Sequence, residues 1–212
     1  MALSSPAVAA PPQDAQAWTT ISASGAISGP WLVQGESDSR FGNALPRLYQ
    51  QELIAGIGYK FNDAASLYGG YGIVIDFRPN LPNRVEHRPY QQLNLSLGKL
   101  GGGTVSARTR LEERFIEGFG DMGVRLRQQV RYVHVLAGSL SAFGTAEFFF
   151  NLNDTDWGAR SGFDRWRIGG GLRHPVGRKL AFELGYLNQR TARSGAADQT
   201  DHILTTALAF SF

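Results

Sequence analysis

Between residues 122 and 137 the even positions are mostly apolar, with Val124, Leu126, Val130, Tyr132 and Leu136, and the odd ones carry Arg125, Arg127, Gln129 and Arg131. In an extended strand, residues of equal parity share a face, so this segment has one apolar side and one basic side. The pattern recurs. Val105, Ala107, Leu111 and Phe115 oppose Ser106, Arg108, Arg110, Glu112 and Arg114; Leu140, Ala142, Ala146, Phe148, Phe150 and Leu152 oppose Thr145, Glu147, Asn151 and Asn153. Trp166, Ile168 and Leu172 oppose Arg165, Arg167 and Arg173, and Leu180, Phe182, Leu184 and Tyr186 oppose Glu183 and Gln189. An Arg turned toward a bilayer midplane costs about 2–4 kcal/mol. In a membrane barrel the Arg parity must therefore face the lumen, and the apolar parity the lipid. A soluble sheet with one wet face is the competing arrangement, but it has no need for an apolar stripe on every strand, nor for Tyr and Trp near strand ends, where interfacial girdles sit.

Eleven period-two segments can be read, at 17–27, 30–40, 47–61, 65–77, 85–99, 103–116, 122–137, 139–153, 163–174, 179–191 and 201–212. No helical repeat interrupts them. Connections alternate in length: 192–200, 154–162, 117–121 and 78–84 are long or polar, whereas 175–178, 137–139, 100–102 and 62–64 are tight. Long loops on one rim and short turns on the other are the outer-membrane pattern. Bacterial single-chain barrels carry even strand numbers, so the expected fold is an all-β, antiparallel transmembrane barrel of about twelve strands, with ten as the alternative. The other resolution of the odd count is an N-terminal segment that joins the wall abnormally; Ser, Gly and Pro blur the alternation between 10 and 45.

The two ends point to the same compartment. Leu204, Thr206, Leu208, Phe210 and Phe212 share one parity up to the final residue; this terminal strand resembles the assembly signal of bacterial outer-membrane barrels, with Leu208, Phe210 and Phe212 as its apolar face. Pro6–Ala10 reads as the small-residue end of a secretory leader. Residues 1–16 are accordingly assigned to a signal remnant and leader, and 17–212 to one barrel domain. No apolar run approaches the ~20 residues of a spanning helix. The absence of cysteine excludes thiol chemistry and disulfides. The net charge of +3 comes without a compact Lys-rich patch, which argues against nucleic acid as a partner.

The inner face is expected to carry Arg108, Arg110, Arg114, Arg125, Arg127, Arg131, Arg165, Arg167 and Arg173, opposed by Glu52, Glu86, Glu112, Glu147 and Glu183. Nine guanidiniums exceed five carboxylates by four, which favours small anionic solutes; paired, the same groups would brace the barrel shut. Glu147 is expected to be an internal countercharge for Arg127, Arg131, Arg165 or Arg167. Other chemistries are weaker. His87, His134 and His202 fall on the lipid or girdle face, and His174 beside a short turn. His202 with Ser194 and Asp198 or Asp201 would be a loop hydrolase, and Asp154, Asp156 and Asp164 a carboxylate-bearing loop without a defined metal motif. Gly169-Gly170-Gly171 lacks the Lys-Ser/Thr and helix of a phosphate loop and suits a bend or close packing.

Several runs carry a family resemblance: Tyr90-Gln91-Gln92-Leu93, Arg108-Thr109-Arg110-Leu111-Glu112-Glu113-Arg114-Phe115, Arg125-Leu126-Arg127, Glu147–Asn153, Phe163–Arg167, Glu183–Gln189 and His202-Ile203-Leu204. In this order they resemble the bacterial family named domain of unknown function 2490, regarded as outer-membrane barrels. The resemblance implies fold and location and brings no activity. The resulting expectation is an outer-membrane barrel without cofactor, metal or catalytic set, acting as a narrow channel or solute-binding barrel. Its partners would be outer-membrane lipids and lipopolysaccharide, and the barrel-assembly machinery during insertion. A structural or envelope-assembly barrel closed by ion pairs is the alternative, and a lipid- or lipopolysaccharide-modifying enzyme the third reading.

Overall fold

The computed structural model describes residues 12–42 and 47–212; the leader motif at 6–10 lies outside them. The strands are β1 (Gln13–Ser28), β2 (Trp31–Gly42), β3 (Arg47–Lys60), β4 (Ala65–Asp76), β5 (Arg84–Leu100), β6 (Gly103–Ile116), β7 (Gly123–Ala137), β8 (Leu140–Asn151), β9 (Gly162–Pro175), β10 (Leu180–Thr191) and β11 (Gln199–Ser211). They form a closed barrel in which each strand pairs with its sequence neighbours and β1 pairs with β11. The count is eleven, as the segments read, and not the twelve that the even-number rule suggested. β1 also starts at Gln13, so residues 13–16, assigned to the leader above, stand in the wall.

The odd number decides how the barrel closes. Each strand of an up-and-down sheet reverses the one before, so the first and eleventh run the same way. β1 and β11 accordingly pair in parallel, in continuous register from Gln13↔Thr200 to Ser24↔Ser211. This is the abnormal junction that the odd count left open. Thr19 and Thr206 share a hydroxyl hydrogen bond of 3.0 Å across the seam, and Trp18, Leu187 and Ile203 form a buried apolar cluster beside it. A consequence is that the termini of the wall lie at opposite rims. Gln13 sits level with Thr200 on the rim of the connections 77–83, 117–122, 152–161 and 192–198, the long-loop rim; Phe212 lies at the rim of the short turns.

The outward face is apolar. Leu53, Ile57, Leu67, Ile168, Leu172, Leu184, Leu204 and Leu208 are exposed, whereas Glu52, Glu86, Glu112 and Glu147 are buried. That is the inverse of a water-soluble domain. Aromatic rings ladder near both rims: Trp31, Tyr59 and Phe61 at successive centroid distances of 5.3 and 5.4 Å and Phe210–Phe212 at 5.9 Å on the short-turn side, and Phe150–Phe163 at 5.7 Å on the long-loop side. The glycine run on β9 is close-packed: a Cβ at Gly171 would stand 2.2 Å from the Leu184 carbonyl oxygen, so an alanine there would have to push β10 away.

Candidate functional site

The site with chemistry is the interior. Its layout follows from which strands carry small inner residues. Gly70 and Gly72 leave the inner face of β4 open, and side chains from β5 reach over it to β3 and β2. Tyr90 lies over Gly70 and Gly56, within 2.3 Å of where their Cβ atoms would be. Its hydroxyl accepts from Gln34 Nε2 at 2.8 Å and donates to the Ala55 carbonyl at 3.3 Å. Arg88 crosses the same gap to Glu52 at 3.0 Å. A continuous chain results, Asp38–Arg40–Glu52–Arg88–Glu86–Arg114, with Arg114 donating to both Glu86 oxygens at 2.6 and 3.0 Å.

A second chain occupies the facing strands. Glu112 accepts from Arg125 Nε at 2.8 Å and Arg127 Nη1 at 2.7 Å, and Arg127 continues to Glu147 at 2.8 Å. Glu147 also takes Arg108 at 3.0 Å and Arg167 at 3.7 Å. Its partners thus include the expected Arg127 and Arg167. Arg131 goes instead to Glu183 at 2.8 Å, alongside Arg173 at 2.6 Å, and Arg165 to Asp164 at 2.7 Å. Arg108, two strands away on β6, was not foreseen as a partner. Counting Arg84–Asp76 and Arg110–Glu112, ten guanidiniums are joined to seven carboxylates in the long-loop half and the middle, an excess of three.

Aromatic slabs separate these charges. Phe149, fully buried, has the guanidiniums of Arg125, Arg127, Arg165 and Arg167 4.6–5.9 Å from its ring. Arg40 and Arg167 lie 4.2 and 4.7 Å from the Trp18 ring, and Arg110 covers Tyr90 at 4.6 Å. Ring faces carry negative potential, so they let cations gather at a higher density than seven carboxylates alone would support.

The paired layer divides the interior. Toward the long-loop rim is a chamber of about 220 Å³ whose lining includes Arg84, Glu86, Arg114, Arg125 and Arg165. Toward the short turns is one of about 320 Å³ lined by Thr20, Ser22, Glu36, Gln129, Thr145 and Glu183 among others. Arg40, Glu52, Arg127 and Arg167 border both and are buried in the layer between them.

Of the eleven residues named from sequence as lumen-lining, ten border these two chambers, and Glu112 is buried beneath its arginine partners. Those missed lie where the alternation is blurred or interrupted. Arg40, Asp38 and Glu36 fall in the Ser/Gly-rich start. Arg88 shares parity with Glu86 but is followed by Pro89, which has no N–H for a ladder bond; β5 has no register partner on β6 at either position. Phe149 has the parity of Glu147 and could have been read from it. The first strands bring Arg40, Arg84 and Arg88 together with Glu36, Asp38 and Asp76, so they do not enlarge the excess of four counted from sequence.

The other candidate sets are taken up elsewhere. His87, His134 and His202 lie on the outer face, each with its Nδ1 within 2.6–3.4 Å of a tyrosine hydroxyl, from Tyr71, Tyr132 and Tyr186. Asp201 points inward to Gln189 and Gln199, opposite to His202, and Asp198 pairs with Arg190. Asp154 binds Arg160 and the Ser161 amide, and Asp156 the Gly120 and Asp121 amides.

Residues 15–201 match the family model described as protein of unknown function DUF2490. The chain belongs to this family. It is also 40% identical over 205 residues to an uncharacterised protein of Methylorubrum extorquens, covering 95% of this chain and 90% of that one.

Proposed function

We propose that this DUF2490 chain is a non-enzymatic outer-membrane barrel, closed at rest, that binds small anionic solutes in its interior rather than conducting them through an open pore. The exposed apolar belt, the rim aromatics and strands of 12–17 residues, beyond the ~9–11 needed to span hydrocarbon, support the membrane location. Leu208, Phe210 and Phe212 would be read by the barrel-assembly machinery, and lipids and lipopolysaccharide would contact the belt. The observation that carries the closed state is the buried Arg40–Glu52 and Arg127–Glu112/Glu147 layer between the two chambers. Planar-bilayer recording of the refolded chain tests it: the expected result is no steady conductance, and an ohmic, anion-selective current would replace this reading with a channel. The parallel seam adds a topological test. An epitope placed ahead of Gln13 and one in 192–198 should both be labelled on intact cells, and one after Phe212 only after permeabilisation; labelling of only one of the first two would contradict the seam.

A structural barrel braced by the same bidentate pairs is the second reading. Failure to bind any solute in a non-conducting barrel would favour it.

A further inference from the structure

The long-loop chamber has donors that no acceptor among the described residues uses. Arg114 and Arg125 each turn Nε and Nη2 onto one glutamate, Glu86 and Glu112 respectively, and among the described residues no hydrogen bond engages their Nη1 atoms. Arg165 gives only Nε, to the adjacent Asp164. Arg84 Nε stands 3.6 Å from Asp76, an ion-pair contact too long for a hydrogen bond, so this buried donor is left without a hydrogen-bond acceptor. Among the described residues only one other buried side-chain polar atom, Arg108 Nε, shares that condition. A buried donor without an acceptor is costly in a finished fold. Here it borders a cavity in which eight arginines meet three carboxylates.

We infer that this chamber is a binding site for one small tetrahedral oxyanion, of the phosphate or sulfate type, held by Arg84, Arg114, Arg125 and Arg165. The inference rests on the solute-binding reading and names its ligand class. The unused donors come from four strands, β5, β6, β7 and β9, so the ligand must accept in several directions at once. A tetrahedral oxyanion does so, whereas a single carboxylate offers one planar fork. The volume holds about seven waters at ~30 Å³ each, enough for such an ion with part of its hydration shell. Access is from the long-loop rim, where the 117–122 and 152–161 connections are latched. Asp156 accepts from the Gly120 amide at 2.9 Å, and Asp121 from the Asp156 amide at 2.7 Å. The latch sets Trp157 over the Arg114 guanidinium at 4.7 Å.

The test is calorimetric titration of the full chain, refolded in detergent, with inorganic phosphate, sulfate, malonate and chloride at constant ionic strength. Phosphate and sulfate should bind one per barrel. Arg165→Gln and Arg84→Gln should each weaken phosphate at least tenfold, and Arg173→Gln on the other half less than twofold. Arg165 has only its neighbour Asp164 as ion-pair partner, so its loss leaves the buried chains intact; Arg84→Gln keeps the test valid should that variant misfold. Absence of phosphate and sulfate binding, tighter binding of malonate than phosphate, or equal weakening by Arg173→Gln would overturn the site. Conductance of the same preparation separates the two ideas: a silent barrel that binds malonate or chloride but neither phosphate nor sulfate removes this site alone, a silent barrel that binds none of the four overturns the solute-binding reading with it, and a conducting barrel that binds phosphate removes only the closed state.

Discussion

The two halves of the interior use the same strands and the same parity yet are built from different materials. In the long-loop half and the middle, Glu112 and Arg125 have side chains only 2% and 5% exposed and are joined through chained ion pairs. In the short-turn half Thr20, Ser22, Thr145, Thr205, Ala207 and Ala209 line the wall, and the triad Arg131–Glu183–Arg173 is 27%, 14% and 36% exposed. The difference shows that Arg/Glu content alone does not define the lumen. Where neighbouring strands supply carboxylates within reach and Phe149 and Tyr90 fill the gaps, the charged groups are buried and locked. Where the inner residues are small, similar ion pairs stay wet and screened.

Four measurements would break or sharpen that contrast. The largest effect should come from the rim of the wet half. Phe212→Asp puts a charge on the apolar parity beside Phe210 and should leave little heat-modifiable, membrane-inserted protein. A polar change at Ser211 should be tolerated, and equal assembly of both would show that the terminal stripe is not read. Next, Glu112→Gln removes the shared acceptor of buried Arg125 and Arg127 and should cost about 3–5 kcal/mol, measured as a lower urea midpoint in vesicles; Glu147→Gln, which strands Arg108, Arg127 and Arg167, should behave alike. Glu183→Gln should cost no more than about 1 kcal/mol, because its pairs are partly solvated. A loss matching that of Glu112→Gln would erase the distinction between the halves. Asp198→Asn, in the 192–198 connection with its partner Arg190 half exposed near the end of β10, should lie within about 0.5 kcal/mol of wild type by the same unfolding assay.

Parity made much of this legible beforehand. Leu126 against Arg127, or Phe148 against Glu147, sorts the two faces because a strand has only two and the charged parity gathers where countercharges can reach it. The segment boundaries and the alternation of long and short connections are local properties too, and they match the wall from β3 onward closely. The residues that escaped notice are those whose local signal is disturbed: Arg88 before a proline, Arg40 among serines and glycines.

The sequence by itself thus determined a barrel with an apolar exterior and an Arg/Glu interior, because side-chain alternation and the cost of leaving a charge unpaired on an apolar face are settled residue by residue. The tertiary structure alone decided that eleven strands close through a parallel β1–β11 seam. It alone decided that Glu147 takes Arg108 from two strands away and that Glu183 takes Arg131 from three. Those outcomes depend on how far a guanidinium reaches across a curved wall and on which neighbours are small enough, like Gly70 and Gly72, to let side chains pass. Neither distance is written along one strand, and it is that reach that divides the interior into two chambers and leaves unused donors in one of them.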